Sequence, residues 1–166
     1  YQNANGQDSF AFVGATAWHG KGQQLTADST LEEWLVASGL DFTVESAHVQ
    51  YTPVNRVASI RTGDEVVLYR SDTFEKLAIV SAKFKIIQPR QVIEFFRSLI
   101  ADHGLAMETA GALQGGGIFW ALARTGNSLN LSGDVTDGFL LFSTGVTGQI
   151  ASRWMPTSVR VVCNNT

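Results

Sequence analysis

Cysteine is nearly absent: Cys163 is the single one in 166 residues. No internal disulfide can form, so the fold does not depend on an oxidising compartment, and a cytoplasmic home is expected. No run approaches the ~18–20 consecutive apolar residues that a membrane-spanning helix needs. Sequence motifs of the common chemistries are missing as well. There is no GxGxxG, no phosphate-binding loop ending in Lys-Ser/Thr, no HExxH, no CxxC and no GxSxG, so nucleotide, zinc and esterase readings have no support. The three histidines, His19, His48 and His103, are far apart in sequence. No catalytic residue, metal or cofactor is expected. A basic excess is lacking too: the net charge is −3, which argues against a protein that coats nucleic acid with its whole surface. Internal repeats and a domain-dividing linker are also absent, and 166 residues suffice for one domain with a core of its own.

What is present is an apolar-rich chain punctuated by turns. Residues 1–9 are polar and read as an arm. Ser9–Val13 reads as a short strand, and a glycine-rich loop runs from Gly14 to Gly22. Ser29 or Thr30 caps a helix from Leu31 to Ser38, with Glu32 and Glu33 in its first turn and Gly39 past its end. Phe42–Tyr51 alternates as a strand ended by Pro53. A meander follows: Arg56–Arg61, a turn at Thr62-Gly63-Asp64, Glu65–Arg70, a turn at Ser71-Asp72-Thr73, and a long strand over Lys76–Ile87. On that last strand Lys83 and Lys85 fall on one side and Phe84 and Ile86 on the other. Pro89 opens the strongest helical segment, Gln91–His103, closed by Gly104. Ala106–Leu113, a turn at Gly115-Gly116-Gly117, Ile118–Arg124, Leu129–Leu131, Gly138–Ser143, Ile150–Trp154 and Val159–Cys163 form a second strand group. The fold class is α+β: an antiparallel β-meander with a long helix packed on one face, a β-β-β-α core, and a second antiparallel group.

Charge is unevenly placed. Residues 1–55 carry one lysine against six acids, and residues 56–100 carry eight Lys/Arg against five acids. Between Lys76 and Arg97 the cations Lys76, Lys83, Lys85, Arg90 and Arg97 face Glu94 alone. This zone suits a polyanion, and it equally suits a solvated face balanced by the acidic N-terminal segment. Trp18, His19 and Lys21 lie in the glycine-rich loop, where they can stack a base and contact a phosphate, or where Trp18 can plug the core edge. Phe119, Trp120 and Trp154 lie near Arg124 and Arg153, the aromatic-with-cation pairing that holds single strands, although strand aromatics also build cores. Arg160 sits in an apolar strand. It must be paired, with Asp134 or Asp137, or face a groove with Arg124 and Arg153, because an isolated buried charge is very costly. Cys163, flanked by valine on one side, reads as a buried small hydrophobe.

Three stretches carry a family resemblance: Phe12-Val-Gly14 with Thr16-Ala-Trp-His-Gly20, Ile87-Gln-Pro-Arg90 ahead of a helix, and Ser158-Val-Arg-Val-Val-Cys-Asn-Asn-Thr166. Across Phe10–Thr166 the chain resembles a phage- and plasmid-borne family catalogued as domain-of-unknown-function family 932. Asn164, Asn165 and Thr166 are helix-capping residues, so a C-terminal helix is expected to follow Thr166. The β-β-β-α order from Arg56 to His103 is similar to the core of single-strand annealing recombination proteins, whose subunits join into rings with DNA in a basic groove. The resemblance implies a phage or plasmid protein that binds single-stranded DNA and anneals strands as a homo-oligomer, without a cofactor and away from membranes. The nucleic-acid-binding candidates are Lys83, Lys85, Arg90, Arg97, Arg124, Arg153, Arg160, Trp18 and Lys21. The alternatives are a non-enzymatic phage assembly protein that oligomerises through strand edges, and, behind it, a metal-assisted hydrolase.

Overall fold

A computed structural model describes residues 9–14, 22–131 and 134–160. Both helices follow the signals written in the sequence. Helix α1 (Leu31–Ser38) starts at Thr30, whose hydroxyl accepts the Glu33 amide at 3.3 Å while the Glu33 carboxylate accepts the Thr30 amide at 2.6 Å. This reciprocal box satisfies donors that the first turn leaves unpaired, and the Thr30 amide holds the Glu33 carboxyl below its ordinary range. Gly39 stops the helix at φ +69, a left-handed conformation in which a Cβ would be strained. Helix α2 (Pro89–His103) has Pro89 in its first turn and Gly104 at its end.

Among the described residues, nine strands make two sheets. The larger has the order β2-β1-β6-β7-β8-β9, built from Phe10–Val13 (β1), Gln23–Leu25 (β2), Ala106–Leu113 (β6), Ile118–Leu131 (β7), Asp134–Gly145 (β8) and Arg153–Arg160 (β9). Its neighbours are antiparallel except β1 and β2, which run parallel. The smaller sheet has the order β3-β4-β5, from Val44–Tyr51, Ile60–Arg70 and Lys76–Ser81, all antiparallel. The architecture is therefore α+β, and a β-β-β-α order does precede the second strand group.

Several boundaries differ from the sequence expectation. Arg56–Arg61 and Glu65–Arg70 are not two strands with a turn between them; Thr62-Gly63-Asp64 lies within the eleven-residue β4, as a bulge where the register with β3 shifts between Arg61 and Val66. The first strand of the meander is β3 instead. Likewise Ile118–Arg124 and Leu129–Leu131 are one strand, with a register shift between Arg124 and Ser128 that absorbs Gly126. The strand over Lys76–Ile87 ends at Ser81, where the Phe84 amide turns back to the Ser81 carbonyl at 2.8 Å. Arg153 and Trp154 belong to the same strand as Val159 and Arg160. Cys163 and the Asn164–Thr166 cap lie outside the described residues.

The core lies under one face of the large sheet. Ala11, Ala110, Ala121 and Phe142 form one register row across β1, β6, β7 and β8, and all are buried. Ala112, Phe119 and Ala123 lie on the same face, also buried. Small side chains on the sheet let the helices come close, so Trp34 and Leu35 of α1 and Val92, Ile93 and Phe96 of α2 fill the layer above. The small sheet joins the same core through Val44 and Leu68. Two polar ties fix it there. The Gln88 side-chain amide brackets the Val44 backbone, accepting at 2.8 Å and donating at 3.0 Å. Arg70, 1 % exposed, grips Asp72 with two hydrogen bonds of 2.6 and 2.8 Å, stacks 3.9 Å above the Phe42 ring and donates to the Gly115 carbonyl at 3.1 Å.

Candidate nucleic-acid interface

Successive residues of a strand point to opposite faces. Beside the alanine row, the other face of the large sheet must therefore carry the interleaved residues. These are large: Phe10 and Phe12 on β1, Trp120, Leu122 and Arg124 on β7, Phe139 and Leu141 on β8, and Arg153, Met155 and Thr157 on β9. The register sets them in three rows. Gly111, Trp120, Ser143 and Arg153 are aligned across four strands. Leu122, Leu141 and Met155 form the next row, and Arg124, Phe139 and Thr157 the third. Phe10, Trp120, Leu122 and Leu141 are half-buried, Phe12 and Phe139 are buried, and Arg124, Arg153, Met155 and Thr157 are exposed. Strand spacing puts the Trp120 and Arg153 backbones ~10 Å apart, close enough for a base on the indole to leave its phosphate near the guanidinium.

Gly111 shapes this face. A Cβ there would lie 2.7 Å from the Phe10 Cβ and the Ser9 carbonyl oxygen and 3.0 Å from the Trp120 ring. Its lack of a side chain lets the two aromatics approach over the same strand. Arg124 leans on the neighbouring Phe139 ring at 5.6 Å. It is also held by Glu108 at 2.9 Å and by Asp137 at 3.7 Å. Glu108 is the extra residue of a bulge between Met107 and Thr109, which is what carries its carboxylate to Arg124.

The candidate residues are thus partly assembled and partly dispersed. Trp120, Arg124 and Arg153 share the open face. Phe119 and Trp154 do not: Phe119 is in the core, and Trp154 packs toward α2, 4.4 Å from Phe142, 5.3 Å from Phe95 and 5.7 Å from Phe96 between ring centres. Adjacent strand residues cannot share a face, so the pairing of Trp154 with Arg153 is corrected. Lys83 and Lys85 are both exposed, with Phe84 and Ile86 half-buried against the core. They follow β5 of the small sheet rather than lying on a strand. Arg90 is bound to Glu32 at 2.6 Å and Glu94 at 3.6 Å, tying the start of α2 to the first turn of α1. Glu32 foremost holds this guanidinium still more firmly charged than usual. Arg97 donates to the Ser29 carbonyl at 3.0 Å and edges a cavity of about 390 Å³ floored by Trp34, Ile100 and Met107. The backbone of Arg160 is aligned with Thr136 at the end of β9. Trp18 and Lys21 lie outside the described residues.

Among the described residues, Lys83, Lys85 and Arg153 make no ion pair, and no three His, Cys, Asp or Glu side chains converge as metal ligands. No described helix is long and apolar enough to cross a membrane. Sequence reasoning missed Phe10, Phe139, Leu141 and Met155 as members of the open face. The legible signal was the alternation Phe119-Trp120-Ala121-Leu122-Ala123-Arg124, in which the small residues mark the helix side and the large ones the other.

The family model described as domain of unknown function (DUF932) matches residues 76–166. The matched stretch covers β5, α2 and the four strands β6–β9, and so the rows that bear Trp120, Arg124 and Arg153. The motifs at Phe12–Gly14 and Thr16–Gly20 precede it. No curated protein and no solved structure matches the chain.

Proposed function

The chain belongs to the DUF932 family, and from that premise we propose that it binds single-stranded DNA across the open face of its large sheet. We further propose that it promotes strand annealing as a cytoplasmic homo-oligomer in phage or plasmid recombination, without enzymatic turnover. The observation that carries the reading is the row Gly111–Trp120–Ser143–Arg153 beside Arg124 and Phe139. A sheet face that sets a half-exposed aromatic such as Trp120 among exposed cations can stack a base while holding the backbone, with little sequence preference, and the buried Phe139 ring supports Arg124 from below. Arg153 is the stronger phosphate contact because Arg124 must first be taken from Glu108 and Asp137. Lys83 and Lys85 supply additional positive charge that no described acid pairs.

Self-association is favoured by the sheet edges. The eight-residue β9 pairs only with β8, and β5 only with β4, among the described strands. Beside β9 stand Phe95, Trp154 and Met155, each between two-fifths and half exposed. Open edges with apolar flanks are places where another strand can add.

The experiment is a titration of a labelled single-stranded oligonucleotide at several salt concentrations. Trp120→Ala should weaken binding ~5- to 150-fold with an unchanged salt slope, because base stacking is worth ~1–3 kcal/mol. Arg153→Ala should lower the slope by ~0.7, the share of one single-strand phosphate contact, and Arg124→Ala by less. Sedimentation of the same samples should show a mass above 18.0 kDa. Unchanged affinity in a folded Trp120→Ala, Arg153→Ala double variant would remove the sheet face from the site. A protein that forms oligomers and binds no DNA would favour an assembly role.

A further inference from the structure

The β3–β4 hairpin leaves the body of the protein beyond Val44 on β3 and Val66 on β4. From Glu45 to Gln50 every β3 residue is exposed except Val49, which is half-buried. The end of this hairpin is shaped by its own hydrogen bonds. The Thr52 and Ser59 hydroxyls meet at 2.9 Å, the Thr62 hydroxyl donates to the Val49 carbonyl at 3.0 Å, and the Arg56 amide donates to the Pro53 carbonyl at 3.0 Å. At the tip Val54 and Val57 are fully exposed and Tyr51 is half-exposed. The charge here is one-sided. The eighteen residues from Ser46 to Gly63 contain Arg56, Arg61 and His48 and no acid, in a chain with 15 acids and a net charge of −3. Arg56 and Arg61 make no ion pair among the described residues.

We infer that this hairpin is an arm that grips duplex nucleic acid. Val54 and Val57 wedge into a base step, while Arg56 and Arg61 hold the flanking phosphates. A two-stranded ribbon fits a duplex groove, and apolar side chains at such a tip kink the duplex by partly unstacking one step. The acid-free charge favours a polyanion over a second copy of this acidic chain, and the narrow tip presents two separate apolar side chains rather than a flat patch. The inference rests on the nucleic-acid-binding reading above and extends it to the product of annealing: the sheet face holds the single strand and the arm holds the duplex.

The test uses the whole protein with a duplex carrying 2-aminopurine and with one of its strands alone. Binding of the duplex should raise 2-aminopurine fluorescence. Val54→Ser with Val57→Ser should abolish that rise and leave single-strand affinity within ~2-fold, since exposed substitutions rarely disturb a fold. Arg56→Ala with Arg61→Ala should weaken duplex binding for all sequences and lower its salt slope by up to ~1.8. Four results would overturn the arm: no duplex binding by the parent protein, no fluorescence rise on binding, a rise that survives the double serine change, or a loss of oligomer mass in that variant, which would make the tip a contact between copies. A duplex signal lost with the valines, alongside single-strand binding that ignores Trp120→Ala, would support the arm while refuting the sheet-face reading.

Discussion

The Arg70–Asp72 pair should respond very differently depending on which partner is removed. Arg70 has 2 % of its side chain exposed and Asp72 33 %. Replacing Asp72 by alanine strands a guanidinium in the interior with the Gly115 carbonyl and the Phe42 ring among its remaining partners. Breaking a fully buried pair this way costs ~3–5 kcal/mol. These surviving contacts and the partial exposure of Asp72 bring the expected loss to about 2–4 kcal/mol. Replacing Arg70 by methionine instead fills much of the same volume and leaves behind a carboxylate that reaches water, so the expected loss is about 1–2 kcal/mol. Urea melts followed by tryptophan fluorescence measure both. With a slope of ~2 kcal/mol per molar, a difference of that size moves the midpoint by roughly 0.5–1 M. Both variants also separate from the parent in acid. Hydrogen bonds from Arg70 hold the Asp72 carboxyl below the ordinary carboxylate range. A lowered folded-state value means the pair stabilises the protein above ~3.9, the value of a free aspartate, and that this stabilisation fades as pH falls through the folded value. The parent should therefore lose stability across this window by more than Asp72→Ala does. An Arg70→Met variant less stable than Asp72→Ala would refute the reasoning, because it would mean that the guanidinium, once alone, finds adequate solvation where it lies.

Two further outcomes follow from the geometry. Gly116 has φ +96, and a Cβ on it would lie 2.7 Å from the Arg70 guanidinium and 2.9 Å from the Phe42 ring; Gly116→Ala should cost about 2–3 kcal/mol through backbone strain and displacement of that same pair, read as a drop in melting temperature, whereas Gly104→Ala meets no neighbour within 4 Å and should cost only the strain. Lys83→Ala with Lys85→Ala should change stability by less than ~0.5 kcal/mol and lower the salt slope of single-strand binding by up to ~1.4 if both contact phosphate; an unaltered slope would confine binding to the large sheet.

The helices were legible in the sequence because every signal for them is local. Thr30, Glu33 and Gly39 act within two turns of α1, and Pro89 and Gly104 bracket a strongly periodic segment. Ala106–Leu113 and the turn of glycines after it were legible for the same reason. In the small sheet β3 was legible as the alternation from Phe42 to Tyr51, but the extents of β4 and β5 were not. Thr62-Gly63-Asp64 has the composition of a turn, and in the structure it becomes a bulge: the β3 ladder breaks between Arg61 and Val66, four β4 residues facing Val49 alone, and pairing resumes on either side so that the strand continues. The long alternation from Lys76 to Ile87 shows the converse, since alternation continues in extended chain after the ladder has ended at Ser81.

The candidate site divides along the same line. Sequence alone determined that Trp120 and Arg124 share a strand face, because their spacing is even, and that the tip from Tyr51 to Arg61 is cationic. It also determined the composition of the helix-covered face, through the alanines interleaved with Trp120, Leu122 and Arg124. Only the tertiary structure decided that Arg153 stands in the row of Trp120, two strands away, and that Trp154 beside it turns to α2. It alone placed Glu108 and Asp137 on Arg124 and Glu32 on Arg90, removing two apparent free cations. Register and ion pairing join residues distant in the chain, 16 positions apart for Glu108 and Arg124 and 58 for Glu32 and Arg90, and no local spacing encodes which acid will meet which base once the sheet has closed its ladders.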